Sequence, residues 1–213
     1  MANILHIISS PRTGVSVSTK LGNAIVEKLV AAMPSSEVLV HDLTIDSFPH
    51  LQQKHLNAFF TRPGERTAVN LEDISDSENA IREIGQADII VISVPVYNFH
   101  IHSTLKAWID QIVRSGITFT YDETGTKGLL NGKKVYLAVA SKGVYSKGPL
   151  QPFDFAVSYL KFVLKFIGID DVEVVRVEGS SVAAEQQLLL EEVMKGFVVN
   201  PEINSLSGNL QAH

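Results

Sequence analysis

The chain of 213 residues contains no cysteine. Disulfide bonds, thiolate nucleophiles, cysteine-ligated zinc and iron–sulfur clusters are therefore excluded. Neither sign of charge dominates: 18 basic and 23 acidic residues give a net charge of −5, which does not suit a nucleic-acid-binding surface. No apolar run has the length of a membrane span, and the N-terminus has no signal-peptide pattern. We expect a cytoplasmic enzyme or binding protein that contacts neither nucleic acid nor membrane.

The length suits one domain with a full core, and we predict a single domain over residues 1–213 that ends in a polar tail from about residue 200. Hydrophobic periodicity predicts five strands that alternate with helices. The predicted strands are residues 3–8, 37–41, 88–94, 134–140 and 172–177. The predicted helices are residues 17–32, 51–60, 73–85, 103–113, 152–167 and 183–198. Residues 116–125 alternate like an extended excursion outside the main sheet.

This alternation predicts an α/β fold with a parallel sheet and helices on both faces. Right-handed crossovers and five strands favour a doubly wound, flavodoxin-like sheet of order 2-1-3-4-5. The loops after the first, third and fourth strands then meet on one rim. Open sheets of this kind bind ligands at that rim, outside the carboxyl ends of their strands.

The loop after the first strand is rich in hydroxyl groups and leads directly into a helix. Ser10, Ser16, Val17 and Ser18 have hydroxyls or free amides where the helix dipole favours an anion. The loop matches neither the triphosphate nor the dinucleotide fingerprint, so we interpret it as a site for one terminal phosphate. A serine-rich turn with an ordinary helix cap is about equally compatible with this loop taken alone.

The loop after the third strand begins at Pro95, and we expect its aromatic and amide side chains to be exposed. Val96, Tyr97, Asn98 and Phe99 follow a nearly continuous β-branched run. They have flat, hydrogen-bonding groups that suit a planar cofactor, although aromatic residues that plug the core would give the same pattern. Two histidines follow in this loop, but no nearby acid completes a ligand set, and we predict no metal site.

The loop after the fourth strand holds Ser141, Lys142, Gly143 and Val144, and its glycine allows the backbone to approach a ligand. A plain surface loop is the alternative for this segment. Three such loops at one edge of the sheet predict a ligand with one phosphate, a linker and a flat ring. FMN has these three parts. The protein would position this cofactor, and backbone N–H groups would stabilise charge on its reduced form.

Several short motifs occur in one order along the chain as far as about Gly179. They are Ser9-Ser10, Ser16-Val17-Ser18, Pro95-Val96-Tyr97-Asn98-Phe99, Thr118-Phe119-Thr120-Tyr121, Gly128-Leu129, Gly132-Lys133-Lys134, Ser141-Lys142-Gly143 and Phe166-Ile167-Gly168-Ile169. The ordered set resembles the bacterial FMN-dependent NADH-azoreductases, which also reduce quinones.

The resemblance implies a flavodoxin-like homodimer with one FMN per subunit and active sites at the subunit interface. It implies alternating reduction by NADH or NADPH and oxidation by a quinone or aromatic azo compound. Carried over by position, Ser10 and Ser16 to Ser18 would bind the phosphate, while Val96 to Phe99 and Ser141 to Val144 would bind the ring. Phe119, Tyr121 and Tyr145 would line the substrate side. We predict no catalytic acid or base, because proximity and stacking suffice for this chemistry.

The chain departs from the family pattern next to the fourth-strand loop. Val144 stands where the family has a second glycine, and Tyr145 stands where it often has a histidine. Because a β-branched residue tolerates positive φ badly, we expect a reshaped turn or a tilted ring. The rival function is a flavodoxin-like electron carrier that serves protein partners. The long segment between the second and third strands and the apolar helix over residues 152–167 argue against it.

Overall fold

The protein is described by a computed structural model that covers residues 1–12, 14–123 and 125–199. The polar tail predicted from about residue 200 lies outside the described residues. The strands are β1 (Asn3–Ile8), β2 (Glu37–Asp42), β3 (Ile89–Pro95), β4 (Phe119–Asp122), β5 (Gly125–Gly128), β6 (Lys134–Ser141) and β7 (Asp171–Glu178). The helices are α1 (Val17–Ala32), α2 (Gln53–Phe60), α3 (Ala68–Asp73), α4 (Ser75–Gln86), α5 (Ser103–Ile112), α6 (Phe155–Phe166) and α7 (Ala183–Gly196).

Five strands form the main sheet in the order β2-β1-β3-β6-β7, and every neighbouring pair is parallel. Counted without the hairpin strands, this is the order 2-1-3-4-5, so the predicted five-stranded parallel sheet is confirmed. The predicted excursion before the fourth main strand is an antiparallel hairpin of β4 and β5. Its second strand extends the excursion beyond Gly125, to Gly128.

Helices cover both faces of the sheet, so the central strand β3 is buried along its whole length. Ile90 and Ile92 point to the core formed with α4, α5 and α6, where Trp108 is almost fully buried. Ile89 and Val91 point to the second core, formed with α1 and α7. In the part of the chain that the structure describes, no helix combines the length and apolarity needed to cross a membrane.

Two predicted helices differ from those observed. The helix predicted over residues 73–85 is α4, and a short helix, α3, precedes it, capped where Thr67 and Asn70 exchange side-chain to backbone hydrogen bonds. Helix α3 buries no side chain, so its sequence carries no apolar period. The helix predicted from residue 152 begins at Phe155, and Gly148–Phe153 forms a 3₁₀ turn instead. Pro149 and Pro152 lack the amides that an α-helix there would use.

Helix α6 is apolar on two opposite faces. Leu160 and Leu164 are buried in the core, whereas Phe155 and Phe162 are 48% and 69% exposed on the other side. The sequence predicted a helix that is apolar nearly all round, and the structure shows that Phe155 and Phe162 are its exposed apolar residues, beside Lys161 and Lys165.

A buried polar contact joins β1, β3 and α1. His6 Nε2 lies 2.9 Å from Ser93 Oγ, and Ser9 Oγ donates to the carbonyl oxygen of Ser93 at 2.8 Å. Helix α1 approaches this pair at Gly22, where a Cβ atom would lie 2.2 Å from Ser93 Oγ and 2.6 Å from His6 Nε2. A side chain at Gly22 would therefore displace the helix or the hydrogen-bonded pair.

We predict that His6 makes the stability of the fold depend on pH. Burial lowers the pKa of His6 from 6.5 to about 4. A lowered pKa in the folded state stabilises the protein above pH 6.5, and this contribution is lost as the pH falls toward 4. Between pH 7.5 and pH 4.5 the loss is about 2–3 kcal/mol, from roughly two pKa units at about 1.4 kcal/mol each.

His6→Gln keeps a hydrogen-bonding group near Ser93 without a titration in this range. Urea unfolding of both proteins at pH 7.5 and 4.5 should show that the variant loses less stability than the parent chain. The comparison cancels the contributions of other titrating groups. Equal losses in the two proteins would mean that His6 does not carry the effect.

Candidate functional site

All three predicted loops border one cleft at the carboxyl ends of β1, β3 and β6. The cleft has a volume of about 90 Å³. Its lining residues are Ser10, Arg12, Ser16, Val17, Ser18, Pro95, Val96, Tyr97, Ala140, Ser141, Lys142 and Gln186. The remaining predicted cofactor residues, Asn98, Phe99, Gly143 and Val144, directly follow the lining residues of the second and third loops.

The first loop brings buried hydroxyls to the N-terminus of α1. Ser10, Ser16 and Ser18 are almost fully buried, and the Oγ atoms of Ser16 and Ser18 are 3.1 Å apart. Ser16 caps α1 by accepting a hydrogen bond from the amide of Thr19 at 3.3 Å. The first turn of α1 holds no acidic residue, so nothing there opposes the positive end of the helix dipole. This arrangement of hydroxyls and amides suits an anion such as a phosphate.

The second loop is a tight turn in a strained conformation. The backbones of Tyr97 and His100 exchange two hydrogen bonds, at 3.0 and 2.9 Å, and the two residues between them have positive φ angles, 49° for Asn98 and 65° for Phe99. Asparagine tolerates the left-handed region, whereas phenylalanine pays about 1–2 kcal/mol there. Neither turn hydrogen bond uses the amides of Asn98 and Phe99. Strain of this kind is concentrated at binding and active sites.

Side chains on either side of this turn hold it in place. The ring of Tyr97 packs edge-on against His102 at 5.6 Å, and burial lowers the pKa of His102. The ring of Phe99 is half exposed and lies 6.3 Å from the rings of both Tyr145 and Phe153. The turn therefore presents one aromatic ring to the cleft and another to its outer rim.

The third loop accommodates valine without backbone strain. Ser141 Oγ donates to the carbonyl oxygen of Gly143 at 2.7 Å, which closes the start of the loop. Among the described residues, positive φ angles occur at Asn98, Phe99 and seven glycines, and Val144 is in neither group. Val144 therefore lies outside the left-handed region, and the expectation of a reshaped turn or a tilted ring stays a prediction. The methyl group of Val144 has room because the neighbouring residue is Gly179.

The three predicted substrate-side residues do not lie together in one chain. Tyr145 contacts Phe99 at the rim, but Phe119 is buried against Phe166, with ring centroids 4.6 Å apart. Tyr121 is 67% exposed beside Phe119. Both are residues of β4, which packs through Phe119 on the C-terminal end of α6. At 1.5 Å per residue, that end is roughly 16 Å along the helix from the end near the rim. Within a single chain, Phe119 and Tyr121 are therefore separate from the cleft.

Arg12, Pro95, Ala140 and Gln186 also line the cleft, and of these Gln186 lies far from the three loops in the sequence. Gln186 reaches the cleft from α7, and its side-chain amide donates to the carbonyl oxygen of Ser180 at 2.8 Å. That bond leaves the amide oxygen as an acceptor for a ligand hydroxyl. No local signal marks Gln186, because it lies on an ordinary helix far along the chain from the three loops.

A larger cavity of about 530 Å³ lies at the opposite edge of the sheet. It is lined by the starts of β1 and β2 and the end of α4, which supply Asn3, Ile4, Leu5, Glu37, Val38, Leu39, Glu83, Gln86 and Ala87. We favour the smaller cleft as the functional site. It combines a helix N-terminus, buried hydroxyls and a strained turn, whereas the larger cavity is a groove beside an exposed edge strand.

Comparison with known proteins shows which family the chain belongs to. A family model described as a flavodoxin-like fold matches residues 2–196. A relative from Herminiimonas arsenicoxydans, named FMN-dependent NADH:quinone oxidoreductase, is 45% identical over 185 residues, which cover 87% of this chain and 91% of the relative. The chain belongs to this family. The resemblance drawn from the ordered sequence motifs is thereby confirmed.

Two solved structures extend the comparison to the whole fold. An azoreductase from Bacillus anthracis strain Sterne is 28% identical and superposes with a TM-score of 0.82, covering 92% of this chain and 98% of the azoreductase. An FMN-dependent NADH-azoreductase from Bacillus anthracis strain Ames Ancestor, solved in complex with FMN, is 27% identical with a TM-score of 0.80. That match covers 92% of this chain and 97% of the azoreductase.

We predict that the strain at Phe99 can be measured with two substitutions. Phe99→Ala and Phe99→Gly both remove the ring, but only glycine relieves the positive φ. We expect Phe99→Gly to be more stable than Phe99→Ala by about 1 kcal/mol in urea unfolding.

The matched control is Phe60, an exposed residue at the end of α2. There the order should reverse, because glycine is a poorer helix former than alanine. If Phe99→Ala proved as stable as Phe99→Gly, the left-handed turn would not exist in solution.

Proposed function

We propose that the protein is an FMN-dependent oxidoreductase that transfers two electrons from NADH or NADPH to quinones and aromatic azo compounds. The observation that carries the proposal is the convergence of three loops on one cleft, with an anion site at one end and a strained aromatic turn beside it. The names of the relatives support the same cofactor, donor and acceptors. A cytoplasmic location is part of the proposal.

The residues of the cleft fit the chemistry of FMN. Ser10, Ser16, Val17 and Ser18 have the hydroxyls and helix amides that a phosphate requires. The segments 96–99 and 141–144 would bind the ring through backbone N–H groups. When bound, FMN supplies the two-electron redox chemistry, and the chain supplies position and charge stabilisation. The amides of Asn98 and Phe99 are suited to stabilise negative charge because the turn hydrogen bonds do not use them.

The size of the cleft favours a second chain at the site. At about 90 Å³ it is smaller than the range of about 300–1,000 Å³ for small-molecule pockets. One chain would enclose the phosphate end, and the ring would lie on the open surface beside Phe99 and Tyr145. The flavin ring would then be open on one face only. NADH or NADPH and the quinone or azo compound would bind to that face in turn, which is a ping-pong order.

The proposed partner is a second copy of the chain. Phe155 and Phe162 on α6 and Tyr121 on the hairpin form an exposed apolar surface of the kind that marks an interface. In a homodimer, the exposed Tyr121 of one copy, with Phe119 packed behind it, would border the open side of the other copy's cleft. This arrangement accounts for their separation from the cleft of their own chain.

The first test is flavin binding. Ser16→Asp should weaken FMN binding roughly 100-fold or more, because like charges in contact cost several kcal/mol. Aspartate is a good helix cap, so α1 should keep its start and the effect should be one of charge. The measurement is quenching of FMN fluorescence on titration with the apoprotein, followed by steady oxidation of NADH with a quinone.

Ser35→Asp is the matched control, because Ser35 is exposed in the turn that precedes β2, at the other edge of the sheet. It should bind FMN as the parent chain does. A parent chain that binds no FMN would contradict the proposal. NADH oxidation that required an added reductase would favour an electron carrier instead.

The second test concerns the homodimer. Phe162→Glu places a charge in the exposed apolar surface and should convert the dimer to a monomer with reduced quinone turnover. Light scattering coupled to size exclusion gives the mass. Leu188→Glu on α7, also exposed, is the control and should remain dimeric. A parent chain that is monomeric at all concentrations would remove this part of the proposal.

A further inference from the structure

The loop after β6 is held in position by hydrogen bonds to the end of the edge strand β7. Glu178, the last residue of β7, is paired in register with Ser141, where the loop begins. Its carboxylate accepts hydrogen bonds from the amides of Tyr145 and Ser146, both at 3.2 Å. Only 7% of this side chain is exposed. One carboxylate thus binds two successive amides at the far end of the loop.

Two ion pairs that share Arg176 hold the Glu178 carboxylate in position. Arg176 contacts Glu178 Oε1 through Nη1 at 2.8 Å and Asp154 Oδ2 through Nη2 at 2.5 Å. Asp154 directly precedes α6, so these ion pairs connect the loop with the start of that helix. A carboxylate with so little exposure needs such a partner, because an unpaired buried charge is strongly destabilising.

The anchored loop determines where Tyr145 lies. The Tyr145 ring packs over Gly143, where a Cβ atom would come within 3.0 Å of it. On its other side the ring meets Phe99 edge-on, at 6.3 Å and 89°. Phe153 and Phe155 continue this row of rings at 6.3 Å spacing. The two hydrogen bonds that Glu178 accepts therefore fix the segment that carries Tyr145 from the edge-strand side.

We propose that Glu178 is a positioning residue for the redox site. It fixes the loop over residues 141–146 against the flavin ring, and it holds Tyr145 beside Phe99 so that the two rings select flat aromatic acceptors. The inference rests on the proposed function. It goes further by assigning a role to Glu178, Arg176 and Asp154, which lie outside the cleft and outside every predicted motif.

Glu178→Gln tests the assignment with little change in shape. The amide oxygen can accept one loop hydrogen bond, but the amide NH₂ meets the second N–H as another donor. We expect faster amide exchange over residues 141–147 in the apoprotein, measured by mass spectrometry. FMN affinity should fall about tenfold, since hydrogen bonds to charged groups are worth about 1.5–3 kcal/mol. The KM for a flat quinone should rise by a larger factor than kcat falls.

Glu173→Gln is the matched control on the same strand. Glu173 pairs with Lys134 at 3.3 Å near the opposite end of β7, so the same change should leave loop exchange and FMN affinity unaltered. If Glu178→Gln fails to fold, Glu178→Asp replaces it. That variant keeps the charge beside Arg176 but shortens the reach to the loop, and we expect the same three effects.

Three results would overturn the inference, and the third would remove the proposed function with it. Unchanged loop exchange and FMN affinity in Glu178→Gln would show that the carboxylate does not position the loop. A lower Tm with unchanged FMN affinity and quinone KM would reduce Glu178 to a structural contact. A parent chain that binds no FMN would contradict the proposed function as well as this inference. If parent and variant bind FMN equally well, only this inference is contradicted.

Discussion

The site depends on the buried contact between the ends of β1 and β3. Ser9 and His6 both bond to Ser93, and α1 packs directly on the pair at Gly22. In this sheet order β1 and β3 are neighbours whose connections leave in opposite directions, which opens a crevice between their loops. The contact holds the two strands at the point where the loops separate. It therefore sets the distance between the serine-rich loop and the strained turn.

The strained turn is tolerated because the elements around it leave the chain no alternative. β3 is buried at every position up to Pro95, and α5 begins at Ser103, so both ends of the intervening segment are fixed. A left-handed Phe99 is then the cost of turning within two residues. The same geometry leaves two adjacent amides free of the turn hydrogen bonds. Strain and ligand-binding capacity thus have one origin, the short path between a central strand and its helix.

The sequence predicted those features of the fold that depend on residues close together in the chain. The β-branched run of β3 and the serine before α1 indicated the buried central strand and the capped helix start, because burial and capping act within a few residues. Side chains brought together by distant strands carried no such signal. Gln186 reaches the cleft from α7, and Glu178 reaches the loop after β6 through strand pairing. The position of Phe119 was also not predictable, since the packing of the hairpin on α6 decides which way its ring points.

The two exposed ends of α6 explain why one chain looks incomplete. The aromatic row formed by Tyr145, Phe99, Phe153 and Phe155 lies at the start of the helix, and Tyr121 lies beyond its end. In the proposed homodimer, a twofold axis makes each end of the interface contact the other end on the partner. The hairpin of one copy then meets the aromatic row of the other. Because Asp154 connects the start of α6 to Arg176 and Glu178, the helix that would form the interface is also fixed to the loop that would bind the flavin ring.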